Sequence, residues 1–192
     1  MEKQISIRVA TEKDAKKLLE IYEPYVRDTA ITFEYEVPEV EEFAGRIRKT
    51  LMRYPYLEAL CGEEIVGYAY ASPFHERKAY DWAVEVSVYV KRERRRMGIG
   101  KILYHALEEE LKKMNISNVN ACIAYPVSEN VYLTDDSVRF HESMGYRMVG
   151  RFYKCGYKFH HWYDMVWMEK HIGEHLENQP EVISFSKISA NN

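Results

Sequence analysis

Hydrophobic and polar positions recur with clear periods along most of this 192-residue chain. Short apolar stretches with a period of two predict strands, and longer stretches with apolar residues at every third or fourth position predict helices. The predicted strands are residues 5–9, 56–61, 65–71, 82–90, 119–124, 146–153 and 162–169. The predicted helices follow Thr11, begin at Pro38, and span residues 99–114 and 135–144. This order predicts a mixed α/β sheet with helices on its faces.

Two stretches lack both periods. Residues 125–134 form an irregular polar insertion that contains Pro126, and the periodic pattern fades after Gly173. We therefore expect one globular domain over residues 1–172 and a loosely held tail over residues 173–192.

Composition narrows the classes of function. The net charge of −3 disfavours a nucleic-acid-binding surface. Cys61, Cys122 and Cys155 lie far apart and lack metal-binding spacing, so we expect reduced thiols and no metal site. No apolar run is long enough to span a bilayer, and the N-terminus has no apolar signal segment. By elimination, we expect a soluble cytoplasmic protein that does not bind membranes.

Residues 84–101, VEVSVYVKRERRRMGIGK, combine a β-branched strand, a basic block, two glycines and the start of a helix. Backbone amides in such a turn and at a helix N-terminus can bind a pyrophosphate. The basic block alone is also compatible with a nucleic-acid patch, a nuclear import signal or a solvated charge run. The spacing of Gly98 and Gly100 matches neither the dinucleotide fingerprint nor the phosphate loop of nucleotide hydrolases.

The segment from Arg95 to Gly100, RRMGIG, resembles the [QR]-x-x-G-x-[GA] motif of the GCN5-related N-acetyltransferases (GNAT). The segment Ala79 to Glu85, AYDWAVE, resembles the AYDWTVE stretch of phosphinothricin acetyltransferases in that superfamily. The resemblance implies an α/β GNAT fold. Its central sheet of about seven strands is mostly antiparallel, splayed between strands 4 and 5, and flanked by four helices. It also implies acetyl-coenzyme A as co-substrate, with no metal.

The resemblance assigns two catalytic residues. Glu85 is expected to act as general base toward the amine, directly or through a water, although a solvent-facing residue would fit the same strand. His141 takes the position of a Tyr in many relatives and is expected to protonate the leaving thiolate; the alternative is a structural histidine.

The resemblance also implies which residues contact the coenzyme. The family's Asn would fall on Thr134, so either Thr134 or Asn130 of the longer loop is expected to replace it. The expected coenzyme-binding residues are Val88, Tyr89, Val90, Arg95, Arg96, Met97, Gly98, Ile99, Gly100, Lys101, Asn130, Thr134 and Ser137.

An amino-acid substrate presents a carboxylate, which Arg77 could hold in a bidentate pair; the alternative is a solvated loop arginine. Phe33 and Tyr80 are expected to form pocket walls, or else to pack within the protein, and Lys158 is expected to bind substrate. The segment of residues 153–162 resembles one that completes the neighbour's pocket in dimeric members, which implies a homodimer.

The leading interpretation is an N-acetyltransferase for a small amino-acid-like substrate such as phosphinothricin, methionine sulfoximine or methionine sulfone. Acetylation of another small amine or of a protein N-terminus is a second interpretation, and Arg77 argues against a peptide. A non-catalytic acyl-coenzyme A-binding module is a third, which Glu85 and His141 disfavour. Nucleic-acid binding is the weakest, because no aromatic residues interleave the arginines.

Overall fold

The computed structural model describes residues 4–128 and 130–189. Its helices and strands follow the order that the sequence predicts, with one short helix added near the C-terminus. In chain order they are β1 (Ile5–Val9), α1 (Ala15–Asp28), α2 (Val40–Leu51), β2 (Tyr56–Cys61), β3 (Glu64–Pro73), β4 (Ala83–Val90), α3 (Ile99–Lys113), β5 (Asn118–Pro126), α4 (Asp136–Ser143), β6 (Arg147–Lys158), β7 (His161–His171) and α5 (Phe185–Ser189).

The seven strands form one sheet in the order β1-β2-β3-β4-β5-β7-β6. Within the described residues, β4 and β5 are the one parallel pair, and four helices have seven residues or more. The mixed, mostly antiparallel sheet with four main helices is therefore confirmed. The splay between β4 and β5 stays a prediction.

The chain divides into two compact units. The first comprises residues 1–21, 38–119 and 171–192, and the second comprises residues 22–37 and 120–170. The predicted boundary between a domain of residues 1–172 and a tail of residues 173–192 stays a prediction. Residues 1–3, 129 and 190–192, which that prediction includes, lie outside the described residues.

In the first unit, α3 packs very closely on β3 at Gly67. A β-carbon at this position would lie 2.9 Å from the carbonyl oxygen of Tyr89 and 3.3 Å from side-chain atoms of both Ile99 and Leu103. A side chain here would push against backbone, which cannot move without disturbing the sheet. Gly67 thus sets the position of the first turn of α3 relative to the end of β4.

In the second unit, the buried residues Ala30, Ala124, Leu133 and Tyr163 form a small core, against which Phe33 packs. Strands β6 and β7 pair antiparallel, and the register shifts between Phe152 and Gly156. Such a bulge adds unpaired residues and bends the strand. The bulge therefore separates β6 into two halves.

Residues 173–189 pack on the first unit, which differs from the predicted loosely held tail. Phe185 is 3% exposed, and its N–H donates to the carbonyl of Arg53 at 2.9 Å. The Trp82 indole donates to the carbonyl of Pro180 at 2.7 Å. The apolar residues of this segment are too sparse for a periodic pattern, so the sequence could not indicate these contacts.

Candidate active site

Glu85 lies on one face of strand β4, and its neighbours Val84 and Val86 lie on the other face. Both valines are buried, at 0% and 4% exposed, whereas Glu85 is half-buried. In the sheet, Glu85 pairs with Ser72 of β3. Burial raises the pKa of the Glu85 carboxyl above its ordinary value of 4.5. A carboxylate with a raised pKa accepts a proton more readily near neutral pH, as a general base requires.

The outer half of β4 carries three of the predicted coenzyme-binding residues. Val88, Tyr89 and Val90 are all half-buried, and they pair with Ala69, Tyr68 and Gly67 of β3. The rings of Tyr89 and Tyr68 lie 5.3 Å apart, centroid to centroid. The predicted coenzyme residues of this strand therefore belong to a well-ordered strand pair.

The turn after β4 leads its main chain into the N-terminus of α3. Arg96 and Gly98 both have positive φ, 64° and 80°. The first intrahelical bond runs from the Ile102 N–H to the Gly98 carbonyl at 3.1 Å, so the amides of residues 99–101 precede the helical ladder. A β-carbon at Gly98 would meet no atom within 4 Å. The turn of residues 95–101, which we call the amide cradle, therefore presents the amides of residues 99–101 at a helix N-terminus, an arrangement that suits the pyrophosphate of a coenzyme.

Glu64, in the β2–β3 hairpin, holds two of the basic side chains. Its carboxylate accepts hydrogen bonds from Lys91 Nζ at 2.7 Å and from Arg94 Nη2 at 3.0 Å. The Lys91 bond and then the two positive charges hold the pKa of Glu64 below its ordinary value. Part of the basic block is thus paired with an acidic residue that the sequence analysis did not single out.

The remaining cradle side chains are exposed. Exposed residues include Arg95, Arg96, Met97 and Lys101, while Ile99 is buried in the core and Gly100 is half-buried. Exposed cations beside main-chain donors suit a phosphate-bearing ligand. The predicted coenzyme residues from 95 to 101 thus lie together on one turn, with Ile99 as its hydrophobic anchor.

The β3–β4 loop, residues 74–81, carries Arg77 and Tyr80. Arg77 is exposed, and its carbonyl accepts the Tyr80 N–H at 2.9 Å in a short turn. The Tyr80 ring lies 5.0 Å from the ring of His75, which the sequence analysis did not assign. Asp81 closes the loop through an ion pair with Arg53 at 2.7 Å. The loop therefore leaves the Arg77 guanidinium accessible to an anionic group.

In the second unit, the ring of His141 lies inside the protein on α4. It is 4% exposed, and its Nδ1 lies 2.7 Å from the carbonyl oxygen of Ser137. Burial lowers the pKa of His141 from 6.5 to about 4, against the opposing effect of the Ser137 bond. The ring is therefore uncharged near neutral pH, and its Nδ1–H is donated to the Ser137 carbonyl, so it lacks the acidic proton of an imidazolium ion. This environment favours the structural alternative over the predicted proton donor.

The Asn130 side chain forms hydrogen bonds to the main chain of its own loop. Its Oδ1 accepts N–H bonds from Tyr132 at 3.0 Å and Leu133 at 3.1 Å, and its Nδ2 donates to Ser128. Thr134 is exposed, and its Oγ1 accepts the Asp136 N–H at 3.4 Å just before α4. Thr134 is therefore the more accessible of the two predicted replacements for the family's Asn.

Lys158 is buried, which differs from the predicted role in substrate binding. Its side chain is 2% exposed, and Nζ donates to the carbonyls of Val26, Thr29 and Thr32 at 2.8, 2.9 and 2.9 Å. Burial lowers its pKa to about 8, partly offset by the negative charge of Glu34. Three main-chain acceptors occupy the three donors of an ammonium group. Lys158, on β6, thus links this strand by hydrogen bonds to the C-terminal end of α1 and the loop that follows it.

Phe33 follows Thr32, one of the three residues whose carbonyls accept from Lys158. A β-carbon at Gly156 would lie 2.4 Å from the Phe33 ring, so the ring rests directly on the β6 backbone. The Tyr35 hydroxyl donates to the carbonyl of Tyr157 in the same strand. The structure therefore brings Phe33 and Lys158 together within the second unit, through packing as well as hydrogen bonds.

Within residues 4–128 and 130–189, no group of three or more His, Cys, Asp or Glu side chains is arranged to bind a metal ion. The helices of the same part are all too short or too polar to cross a bilayer.

Comparisons with known proteins agree with the geometry. A family model described as an acetyltransferase (GNAT) domain matches residues 7–167. The phosphinothricin N-acetyltransferase of Streptomyces viridochromogenes is 32% identical over 166 residues, which cover 86% of this chain and 87% of that protein. The L-methionine sulfoximine/L-methionine sulfone acetyltransferase of Salmonella typhimurium is 26% identical over 172 residues, covering 89% and 96%.

The fold has close counterparts among solved structures. A GNAT superfamily phosphinothricin acetyltransferase from Sinorhizobium meliloti, solved in complex with acetyl-coenzyme A, superposes with a TM-score of 0.83 at 28% identity. The match covers 96% of this chain and 99% of that one.

Proposed function

Because the chain belongs to the GNAT family of acetyltransferases, we propose that it acetylates the α-amine of a small amino-acid-like substrate. Phosphinothricin and methionine sulfoximine or sulfone are the proposed substrate types, in keeping with the names of its relatives. One observation carries the proposal. A half-buried carboxyl with a raised pKa, Glu85, lies on the strand that runs directly into the amide cradle.

The amide cradle would hold the coenzyme's pyrophosphate. The main-chain N–H groups of residues 99–101 and the positive end of the α3 dipole both favour a bound anion, and exposed Arg95 and Arg96 add positive charge. Bound acetyl-coenzyme A would supply the thioester from which the acetyl group is transferred. The main chain of Val88 to Val90 is proposed to contact the coenzyme's arm.

Glu85 is proposed as the general base. An α-amine near neutral pH is mostly protonated and cannot attack a carbonyl until it loses that proton. The Glu85 carboxylate accepts the proton directly or through a water, and burial strengthens it as a base by raising its pKa.

Arg77 is proposed to recognise the substrate's carboxylate. Its guanidinium is exposed on the β3–β4 loop, and a fork-shaped pair with a carboxylate would orient the adjacent amine. Tyr80, on the same loop, is proposed as a pocket wall, whereas Phe33 is given the packing role within the second unit. His141 and Lys158 are given structural roles, because each donates to main-chain carbonyls of its own unit.

A homodimer is a further part of the proposal. The β6–β7 hairpin exposes large hydrophobic side chains, among them Val149 at 59%, Phe152 at 56%, Tyr153 at 75% and Trp162 at 55%. Several exposed large apolar side chains in one hairpin are typical of a protein interface. Sedimentation equilibrium should give twice the monomer mass for the wild type and the monomer mass for Phe152→Lys. Met52→Lys, at a residue 70% exposed on the first unit, is the matched control.

A coupled assay tests the catalytic proposal. The protein is incubated with acetyl-coenzyme A and, separately, phosphinothricin, methionine sulfoximine, methionine sulfone and the common amino acids. Free thiol gives the rate and mass spectrometry the acetylated product. Amine-dependent thiol release with at least one amino-acid-like compound is expected. Release with none of them, from protein that binds acetyl-coenzyme A, would identify a non-catalytic binding module.

A further inference from the structure

Residues 173–189, which we call the C-terminal strap, lie beyond the region that the family model matches. The strap is fixed at its far end by Phe185, which is buried and donates its N–H to Arg53. Its middle is fixed by the Ile183 N–H, which donates to the Met114 carbonyl at 3.0 Å. The strap therefore has defined contacts that no role described above explains.

Ser117 joins the near end of the strap to the first unit. The buried Ser117 accepts the N–H groups of Ile172 at 2.8 Å and Gly173 at 3.3 Å on its carbonyl. Its hydroxyl donates to the Glu174 carbonyl at 3.3 Å and accepts from Gln179 Nε2 at 3.1 Å. One residue thus carries four bonds to the strap and the residue before it.

Trp82 is hydrogen-bonded through both its main chain and its side chain. Its carbonyl accepts the N–H groups of Ser117 at 3.0 Å and Asn118 at 3.1 Å. Its indole N–H donates to the carbonyl of Pro180, in the strap, at 2.7 Å. The strap and Ser117 therefore fix both the main chain and the side chain of Trp82.

Trp82 connects the two elements that carry the proposed chemistry of the first unit. It immediately precedes β4 and lies three residues before Glu85. It follows Asp81, the end of the β3–β4 loop, whose partner Arg53 accepts the Phe185 N–H. The strap thus contacts Trp82 at the start of β4 directly, and it contacts Arg53, the ion-pair partner of Asp81 in the β3–β4 loop.

We propose that the C-terminal strap is a positioning element for acetyl transfer, acting through Trp82 on the start of β4 and on the β3–β4 loop. This proposal rests on the proposed function for its kinetic effects. A change far from the chemistry that misplaces the reacting groups by about 1 Å can lower the rate about a hundredfold, because transfer needs a precise approach. The contacts described for the amide cradle involve no strap residue, so coenzyme binding should be spared.

Three variants test the proposal. Trp82→Phe removes the indole donor and keeps an aromatic ring, and Gln179→Ala removes the bond to Ser117. Glu177→Ala, at an exposed strap position, is the matched control. At a temperature where all variants are folded, the first two should lower kcat/KM for the amine about tenfold. The KM for acetyl-coenzyme A should change less than about twofold, and the control should match the wild type.

Amide hydrogen exchange of the same variants gives a readout independent of activity. Exchange at residues 74–86 should become about tenfold faster in Trp82→Phe and Gln179→Ala than in Glu177→Ala. A wild type inactive toward every amine would refute the proposed function, and the exchange rates would still decide the role of the strap. Lower melting temperatures with unchanged exchange at residues 74–86 and unchanged amine kinetics would overturn the positioning role.

Discussion

The two units differ in how far their potentially reactive side chains are buried and hydrogen-bonded. In the first unit, Arg77 is exposed, Glu85 is half-buried on β4, and the amides of residues 99–101 precede the helical ladder of α3. In the second unit, His141 and Lys158 are almost completely buried and donate to main-chain carbonyls. A reactive residue type therefore indicates function only after its internal partners are known, because buried polar groups are normally satisfied within the fold.

Burial has different consequences for acids and for bases. It raises the pKa of Glu85, which makes the carboxylate a stronger proton acceptor. It lowers the pKa of His141 to about 4 and that of Lys158 to about 8, which favours their uncharged forms. Desolvation alone thus makes the Glu85 carboxylate a stronger base and the His141 imidazolium a stronger acid that is rarely populated near neutral pH.

Glu85→Gln should have the largest effect on activity, because it removes the proposed general base of the first unit. We expect kcat to fall about 10²–10³-fold, with little change in the KM for acetyl-coenzyme A. In the wild type, activity should fall as pH decreases through an apparent pKa above 4.5, because only the deprotonated carboxyl accepts a proton. Steady-state rates from pH 5 to 9 test this expectation. An unchanged rate and pH profile in the variant would remove Glu85 from the mechanism.

Lys158→Met should destabilise the second unit without a specific kinetic effect. Three buried carbonyls lose their donor, which should lower the free energy of unfolding by about 3 kcal/mol. Urea denaturation measures the change, and Lys154→Met, at an exposed lysine of the same strand, is the control. Full stability combined with a raised amine KM would instead restore Lys158 as a substrate-binding residue.

Arg77→Ala should raise the KM for the amine substrate about 10–100-fold and leave kcat within about threefold, because a charge-assisted pair with the carboxylate is lost. Arg77→Lys should recover part of the affinity through its charge alone. Initial rates over a range of amine concentrations give both constants. An amine KM unaffected by either variant would assign Arg77 to the solvated surface.

His141→Gln should have the smallest effect on activity, with kcat within about threefold of the wild type above pH 6. Its stability should depend on pH in a defined direction. Between about pH 4 and 6.5 the unfolded chain binds a proton at residue 141 and the folded chain does not, so wild-type stability falls as pH falls through this range. The variant should lose that contribution in denaturation curves. A hundredfold fall in kcat would identify His141 as the proton donor after all.

The sequence was most informative where the signal is local. Alternation and helical spacing predicted the order of the strands and main helices, and a glycine pair after a strand predicted the amide cradle. The sequence could not reveal that Glu64 pairs with Lys91, or that Lys158 reaches carbonyls more than 120 residues away. Tertiary structure brings these partners together, and such contacts produce no periodic pattern in the sequence.

Helix α3 can approach β3 and β4 only because residue 67 is glycine. The amides of the cradle therefore reach their arrangement only after these elements have packed, and the unfolded chain contains no equivalent site. A coenzyme that binds the cradle binds the native state alone and opposes unfolding by mass action, by about 2.7 kcal/mol at a hundred times its Kd. The supply of coenzyme would thereby change the stability of the folded protein as well as its rate of turnover.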